Sequence, residues 1–196
     1  MSVDPRRLPH WARVAFAARC AQQVRPLFEG AWPEAAPERR QAVLRAIKLA
    51  EQSAADARTV AGAKEAAMGA CMVAGRAQLP HLVDAPPLGP EEPSPPDRDS
   101  ALVAALAAKV AEKAAEAALL APDRSGTAAH EAFHFAVDAI NAARDHELLE
   151  RLQQDFEALR RVVKRGRWSD ESRVPSSVFD LLGLQEPKSR PWWKLW

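Results

Sequence analysis

The sequence predicts an all-α protein: a helical bundle or short α-solenoid of about six main helices, in two hairpin-like halves joined by a proline-rich linker. Three observations carry this. About a fifth of the residues are alanine, the best helix former. Val, Ile, Thr and Phe nowhere cluster in alternating runs, so no strand is indicated. Apolar residues recur at three- and four-residue steps along several separate stretches. At 196 residues the chain suits one domain overall. Residues 1–79 form the N-terminal helical half, 80–100 the linker, 101–183 the C-terminal half and 184–196 an aromatic-basic tail.

The first helix is expected from about Pro9 to Glu29. Val14, Ala17, Ala21, Val24 and Phe28 share one face, and Phe16, Cys20 and Leu27 widen it. Pro26 lacks a backbone donor, so the helix should kink or end there, with Gly30 and Trp32-Pro33 marking the turn. The second begins near Pro37, a favoured first helical residue, and runs to about Ala57 with Val43, Leu44, Ile47 and Ala50 inward. The third covers about Thr59 to Leu79. Gly62, Gly69 and Gly75 inside it would each cost about 1 kcal/mol relative to alanine, so close helix–helix contact is expected to compensate.

Residues 80–100 hold seven prolines and read as an extended, solvated spacer. The fourth helix spans about Ser100 to Ala121, with Ser100 as N-cap. Pro122 to Gly126 reads as a turn and Thr127–Arg144 as the fifth helix. The sixth, about His146 to Arg165, carries the strongest apolar stripe in the chain: Leu148, Leu149, Leu152, Phe156, Leu159 and Val163, with Gly166 as its C-terminal cap. A short apolar helix is expected at Val178–Leu182. Lys48–Ala57 resembles Lys109–Ala118, and Glu65-Ala66 with Ala70 echoes Glu131-Ala132 with Ala136, which suggests two similar hairpins.

Charge excludes little. The 27 basic and 26 acidic residues nearly balance, which gives no global pull toward nucleic acid or acidic membranes. Arg160, Arg161, Lys164, Arg165 and Arg167 cluster where cations complement a helix C-terminus, or could meet phosphate. Cys20 and Cys71 sit in apolar helical runs and read as free buried thiols. No signal-peptide pattern and no membrane-spanning run is visible, so a cytoplasmic location is expected.

His130-Glu131-Ala132-Phe133-His134 spells His-Glu-x-x-His. Histidines four apart on a helix can hold one zinc ion, and the glutamate can polarise its bound water. A zinc-dependent hydrolase using His130, His134 and Glu131 is therefore one expectation. It needs a third ligand. Asp138 lies about 12 Å along the helix from His130, and His146, Glu150 and Glu157 would have to swing in. The Glu131-x-x-His134 pair also fits half of a di-iron site, but the chain holds no second Glu-x-x-His. The expectation preferred here is a polar stripe of His130, His134, Asp138, Asn141 and Asp145 facing solvent or a partner, with no metal and no cofactor.

The last residues, EPKSRPWWKLW, set Trp192, Trp193 and Trp196 beside Arg190 and Lys194. Such a tail can fold back on the domain, anchor in a partner protein, or rest peripherally at a membrane surface.

Cys20-Ala21-Gln22-Gln23-Val24-Arg25-Pro26-Leu27-Phe28-Glu29, followed by the paired alanine-rich hairpins to about Arg144, resembles small all-helical bacterial immunity proteins of polymorphic toxin systems. The linker and the tryptophan tail depart from that pattern. The resemblance implies a non-enzymatic protein that neutralises a toxin by binding it, and it carries over no site residues. The expected function is a non-catalytic protein-interaction module of immunity, defence or adaptor type. The alternatives are the zinc hydrolase, and a scaffold recruited through its tail to an assembly or membrane surface.

Overall fold

The helices are held by side chains no larger than a methyl group over much of their contact. A computed structural model of the chain describes residues 3–79 and 96–181. They form a 3-10 turn at Pro5–Arg7 and seven α-helices, with no strand among the described residues. The helices are α1 His10–Ala31, α2 Pro37–Asp56, α3 Ala63–Gln78, α4 Arg98–Leu119, α5 Pro122–Ala143, α6 His146–Gly166 and α7 Ser176–Leu181.

The fourth helix, α4, is the hub. It packs on α1, α2, α3 and α5, so one core runs through both hairpins. Twelve of its residues are buried and ten of them are alanine. Helix axes pack roughly 8–10 Å apart depending on the side chains between them, and methyl groups permit the short end of that range. Bulk is supplied at the flanks. Phe16 of α1 meets Phe156 of α6 with ring centres 5.1 Å apart and Phe133 of α5 at 6.0 Å. At the far end of α1, Phe28 and Trp32 stack edge to face, and the Arg39 guanidinium lies over the Trp32 ring.

The all-helical class and the inward faces of α1, α2 and α6 follow the periodicity. Several boundaries do not. The first helix runs through Pro26 to Ala31. Pro26 is exposed, so its ring meets solvent and only one backbone hydrogen bond is lost. The third helix starts at Ala63, because Gly62 takes φ +86° as its N-cap, which places it outside the helix. Of the two glycines inside, Gly69 lies where an added Cβ would sit 3.5 Å from the Ala42 Cβ, an ordinary contact, so the expected close approach does not call for glycine there. Gly75 faces open space and gains nothing.

The α4 N-cap is Asp97, not Ser100. Its carboxylate accepts from the Asp99 and Ser100 amides and from the Ser100 hydroxyl, which starts the helix at Arg98. Residues 122–126 are not a turn. Pro122 is the first residue of α5, and Ser125 and Gly126 are buried beneath the Pro5–Arg7 turn. At the end of α6 it is Arg167 that takes the left-handed conformation, at φ 50°. Cys20 is buried, and desolvation pushes its thiol pKa strongly up, whereas Cys71 is exposed with Lys109 Nζ 3.6 Å from its sulfur. The expected linker, at 80–95, and the tail residues Arg190, Trp192, Trp193, Lys194 and Trp196 lie outside the described residues.

One polar layer crosses the core. Arg19 of α1 donates to Asp155 of α6 at 2.7 Å with both side chains nearly buried, and Gln23 donates to the same oxygen at 3.0 Å. On the α2 side Gln22 donates to Glu51 at 2.6 Å. Burial raises the Glu51 pKa, against the Gln22 hydrogen bond and the charges of Arg19, Lys48 and Arg25.

Two substitutions test this packing. Ala111→Leu forces a branched side chain into a fully buried α4 position and should destabilise by about 1–3 kcal/mol. Asp155→Ala removes the carboxylate that Arg19 and Gln23 share and should cost about 1.5–3 kcal/mol. Urea unfolding followed by circular dichroism measures both.

Candidate functional site

Helix α5 carries His130, Glu131 and His134 at the positions the motif requires. Ala132, Phe133, Ala136, Ala139 and Ile140 turn inward, which leaves His134, Asp138 and Asn141 exposed and His130 half-buried. Asp145 closes the stripe as the N-cap of α6, accepting from the Leu148 amide at 3.1 Å. The polar stripe expected from spacing is present, and its last member has a structural task.

Within the motif the two histidines meet. His130 Nε2 and His134 Nε2 are 3.1 Å apart, and the rings stand edge to face with centres 4.4 Å apart. Which of the two nitrogens carries a proton is set by the tautomers of the rings. Burial lowers the His130 pKa first, and the neighbouring His134 and Arg6 add to that, against Asp4 and Glu131. Its Nδ1 is buried without a hydrogen-bond partner among the described residues.

Glu131 is engaged elsewhere. Its carboxylate lies 2.9 Å from Lys113 Nζ of α4, and that ammonium also holds Glu116 at 2.6 Å. Partial burial works against the Lys113 charge, but the two carboxylates outweigh it and raise its pKa. No third His, Cys, Asp or Glu completes a metal group with the two histidines among the described residues. Glu157, one candidate for that place, pairs with Arg160 at 3.2 Å.

A second cluster was not visible in the sequence, because its members come from three segments around residues 10, 125 and 170. At the N-termini of α1 and α5, His10 Nδ1 lies 2.8 Å from Ser125 Oγ, and both residues are buried. Ser125 Oγ donates to the Pro122 carbonyl at 3.2 Å, which leaves it accepting from the His10 ring. Arg13 donates to the same carbonyl and reaches Ser125 Oγ at 3.4 Å. Asp170 accepts from the His10 backbone amide at 2.6 Å.

Serine, histidine and aspartate thus meet in space, but not as a nucleophile, its base and an orienting acid. The acid contacts the backbone of His10, and the serine proton points to a carbonyl. Asp170 does the work of an N-cap for α1, whose own cap position, Pro9, has no side chain to offer. Beside the cluster a shallow groove of about 430 Å³ is lined by Arg6, Arg13, Pro122, Asp123, Gly126, Thr127 and Asp170.

Two further surfaces stand out. Met68 and Met72, one turn apart on α3, are 56% and 70% exposed. Leu102 and Leu119 of α4 are also exposed. The basic residues Arg160, Arg161, Lys164, Arg165 and Arg167 all face solvent at the end of α6. No helix among the described residues is long and apolar enough to cross a membrane. No protein family, curated protein or solved structure matches the chain.

Burial lowers the His10 pKa first and Arg13 adds to it, against the charge of Asp170. A histidine depressed in the folded state takes its proton first in the unfolded chain. Its stabilising contribution is therefore complete above the unfolded pKa of about 6.5 and is lost as pH falls from there through the folded value. Thermal unfolding should show Tm falling between about pH 7.5 and pH 5. The fall should be shallower in His10→Asn, which keeps a donor for Ser125.

Proposed function

We propose that this chain acts by binding another protein, without catalysis of its own, through the face of α3 that carries Met68 and Met72. The observation that supports this is the exposure of those two flexible side chains on a helix whose other large apolar residue, Val73, is buried. Methionine adapts its shape to a partner, and paired exposed methionines are costly to leave in water. Helix α3 rests on α2 and α4, so its outer face is free of the described chain.

The partner class implied by the resemblance is a toxin, which would make the chain an immunity-type protein. An adaptor in a larger assembly uses the same surface. The alternative, a zinc hydrolase using His130, Glu131 and His134, has less support, because Glu131 pairs with Lys113 at 2.9 Å. The stripe of His130, His134 and Asp138 is a second partner-facing surface on α5, and the tail with Arg190, Trp192, Trp193, Lys194 and Trp196 is a third.

Affinity capture with three baits separates these surfaces: the full chain, Met68→Glu/Met72→Glu, and the chain ended after Glu186. Binding through α3 predicts a partner captured by the full chain and the shortened chain but reduced at least about tenfold with the glutamate variant, as expected when a hot spot is charged. Equal capture by the glutamate variant would sink the α3 surface. Loss with the shortened chain alone would move the binding to the tail.

A further inference from the structure

The geometry points to the His130–His134 pair as a two-point chelating site for an imidazole-seeking divalent ion, of the Cu2+, Ni2+ or Zn2+ type, that does no hydrolysis. The two Nε2 atoms are 3.1 Å apart. With metal–nitrogen bonds of about 2.05 Å, that separation closes an angle of about 98° at a shared ion, between the square and tetrahedral values. The ring centres are only 4.4 Å apart and the planes stand at 77°. Two imidazoles joined head-on by a straight N–H···N bond would hold their centres farther apart, since each nitrogen projects a ring radius beyond its centre. The two nitrogens therefore meet at an angle, and a small turn of the exposed His134 ring is enough to aim both at one ion.

The surroundings set the chemistry. His134 is exposed, so an ion can enter without opening the core. Both imidazoles sit on the rigid middle of α5, which is anchored by Phe133 and Ile140, so little ordering is left to be done on binding. Neutral imidazole suits copper, nickel and zinc and gives little hold on calcium or magnesium. Glu131, tied to Lys113, supplies neither a ligand nor a base. Two protein ligands leave the remaining positions to water or to a donor from a partner. His130 Nδ1 has no acceptor among the described residues, so the second shell that tightens metal sites is missing on that ring. That places the affinity at the modest level of a bare two-imidazole chelate.

The test is a Ni2+ titration of chelator-stripped full chain by calorimetry, set beside His134→Ala and Glu131→Gln. The expected result is one ion per chain, binding at least about tenfold weaker in His134→Ala because the second imidazole no longer acts at high effective concentration. Glu131→Gln should bind within about twofold of the parent, since only the ion pair changes. Cu2+ bound to the parent should show two equivalent nitrogen couplings by electron paramagnetic resonance. Equal Ni2+ affinity in parent and His134→Ala overturns the site, as does a single nitrogen coupling in the parent. The spectroscopic readout decides even if the alanine variant unfolds. Neither result bears on whether Met68 and Met72 bind a protein.

Discussion

The fold depends on one constraint: four helices must all approach α4, and they can do so only because the buried surface of α4 is alanine. A hub of leucine would push its neighbours apart and leave voids between them. A hub of glycine would give up the helix propensity that holds α4 together, at about 1 kcal/mol per position. Alanine satisfies both demands. The cost is small buried area per residue, and the structure offsets it by grouping Phe16, Phe133 and Phe156 where α1, α5 and α6 converge. That aromatic contact is what lets α6, which does not share the alanine hub, join the core.

Closely packed helices leave their ends as the vulnerable places, since each end exposes backbone groups with no partner inside the helix. Asp97 and Asp145 cap α4 and α6 locally, and other ends are satisfied from far along the chain. Asp170 caps α1, Thr59 Oγ1 donates to the Ala118 carbonyl at the end of α4, and the Val174 amide donates to Ala54 at the end of α2. Ser53 is buried with its hydroxyl on Leu49 and the Val60 amide on its oxygen. The segment after α6 is thus a strap over the start of α1 and the end of α2: its polar contacts cap those ends, and its Val174 and Val178 are buried in the core. Stability in this protein is shared between methyl packing in the middle and long-range capping at the ends.

This division explains what could be read from the sequence. Periodicity reports which face of a helix is buried, so Val14, Phe28, Ile47, Leu152 and Phe156 were legible as core. Helix ends are decided by competition between neighbouring residues and by contacts from distant ones. Pro122, Asp123, Ser125 and Gly126 carry the residues of a turn, yet Pro122 and Asp123 are equally the residues of a helix start. The decisive factor was the Pro5–Arg7 turn packing on Gly126, a contact 120 residues away in sequence. The same holds for Asp97 against Ser100, where two good capping residues three apart compete and the earlier one wins by accepting from the later. The His10–Ser125–Asp170 cluster left no local trace at all, because its three parts come from three distant segments.

The histidine motif shows the same limit from the other side. Its spacing is a true statement about the helix: His130 and His134 do share a face and their nitrogens do meet. What spacing cannot report is who claims the residue between them. Glu131 stands about 100° around the helix from His130, toward α4. There Lys113 waits, already holding Glu116 and partly desolvated. Its ammonium takes Glu131 as a second carboxylate at 2.9 Å. The three residues of the motif thus fall into an ion pair that links α5 to α4 and a pair of imidazoles, His134 exposed and His130 half-buried.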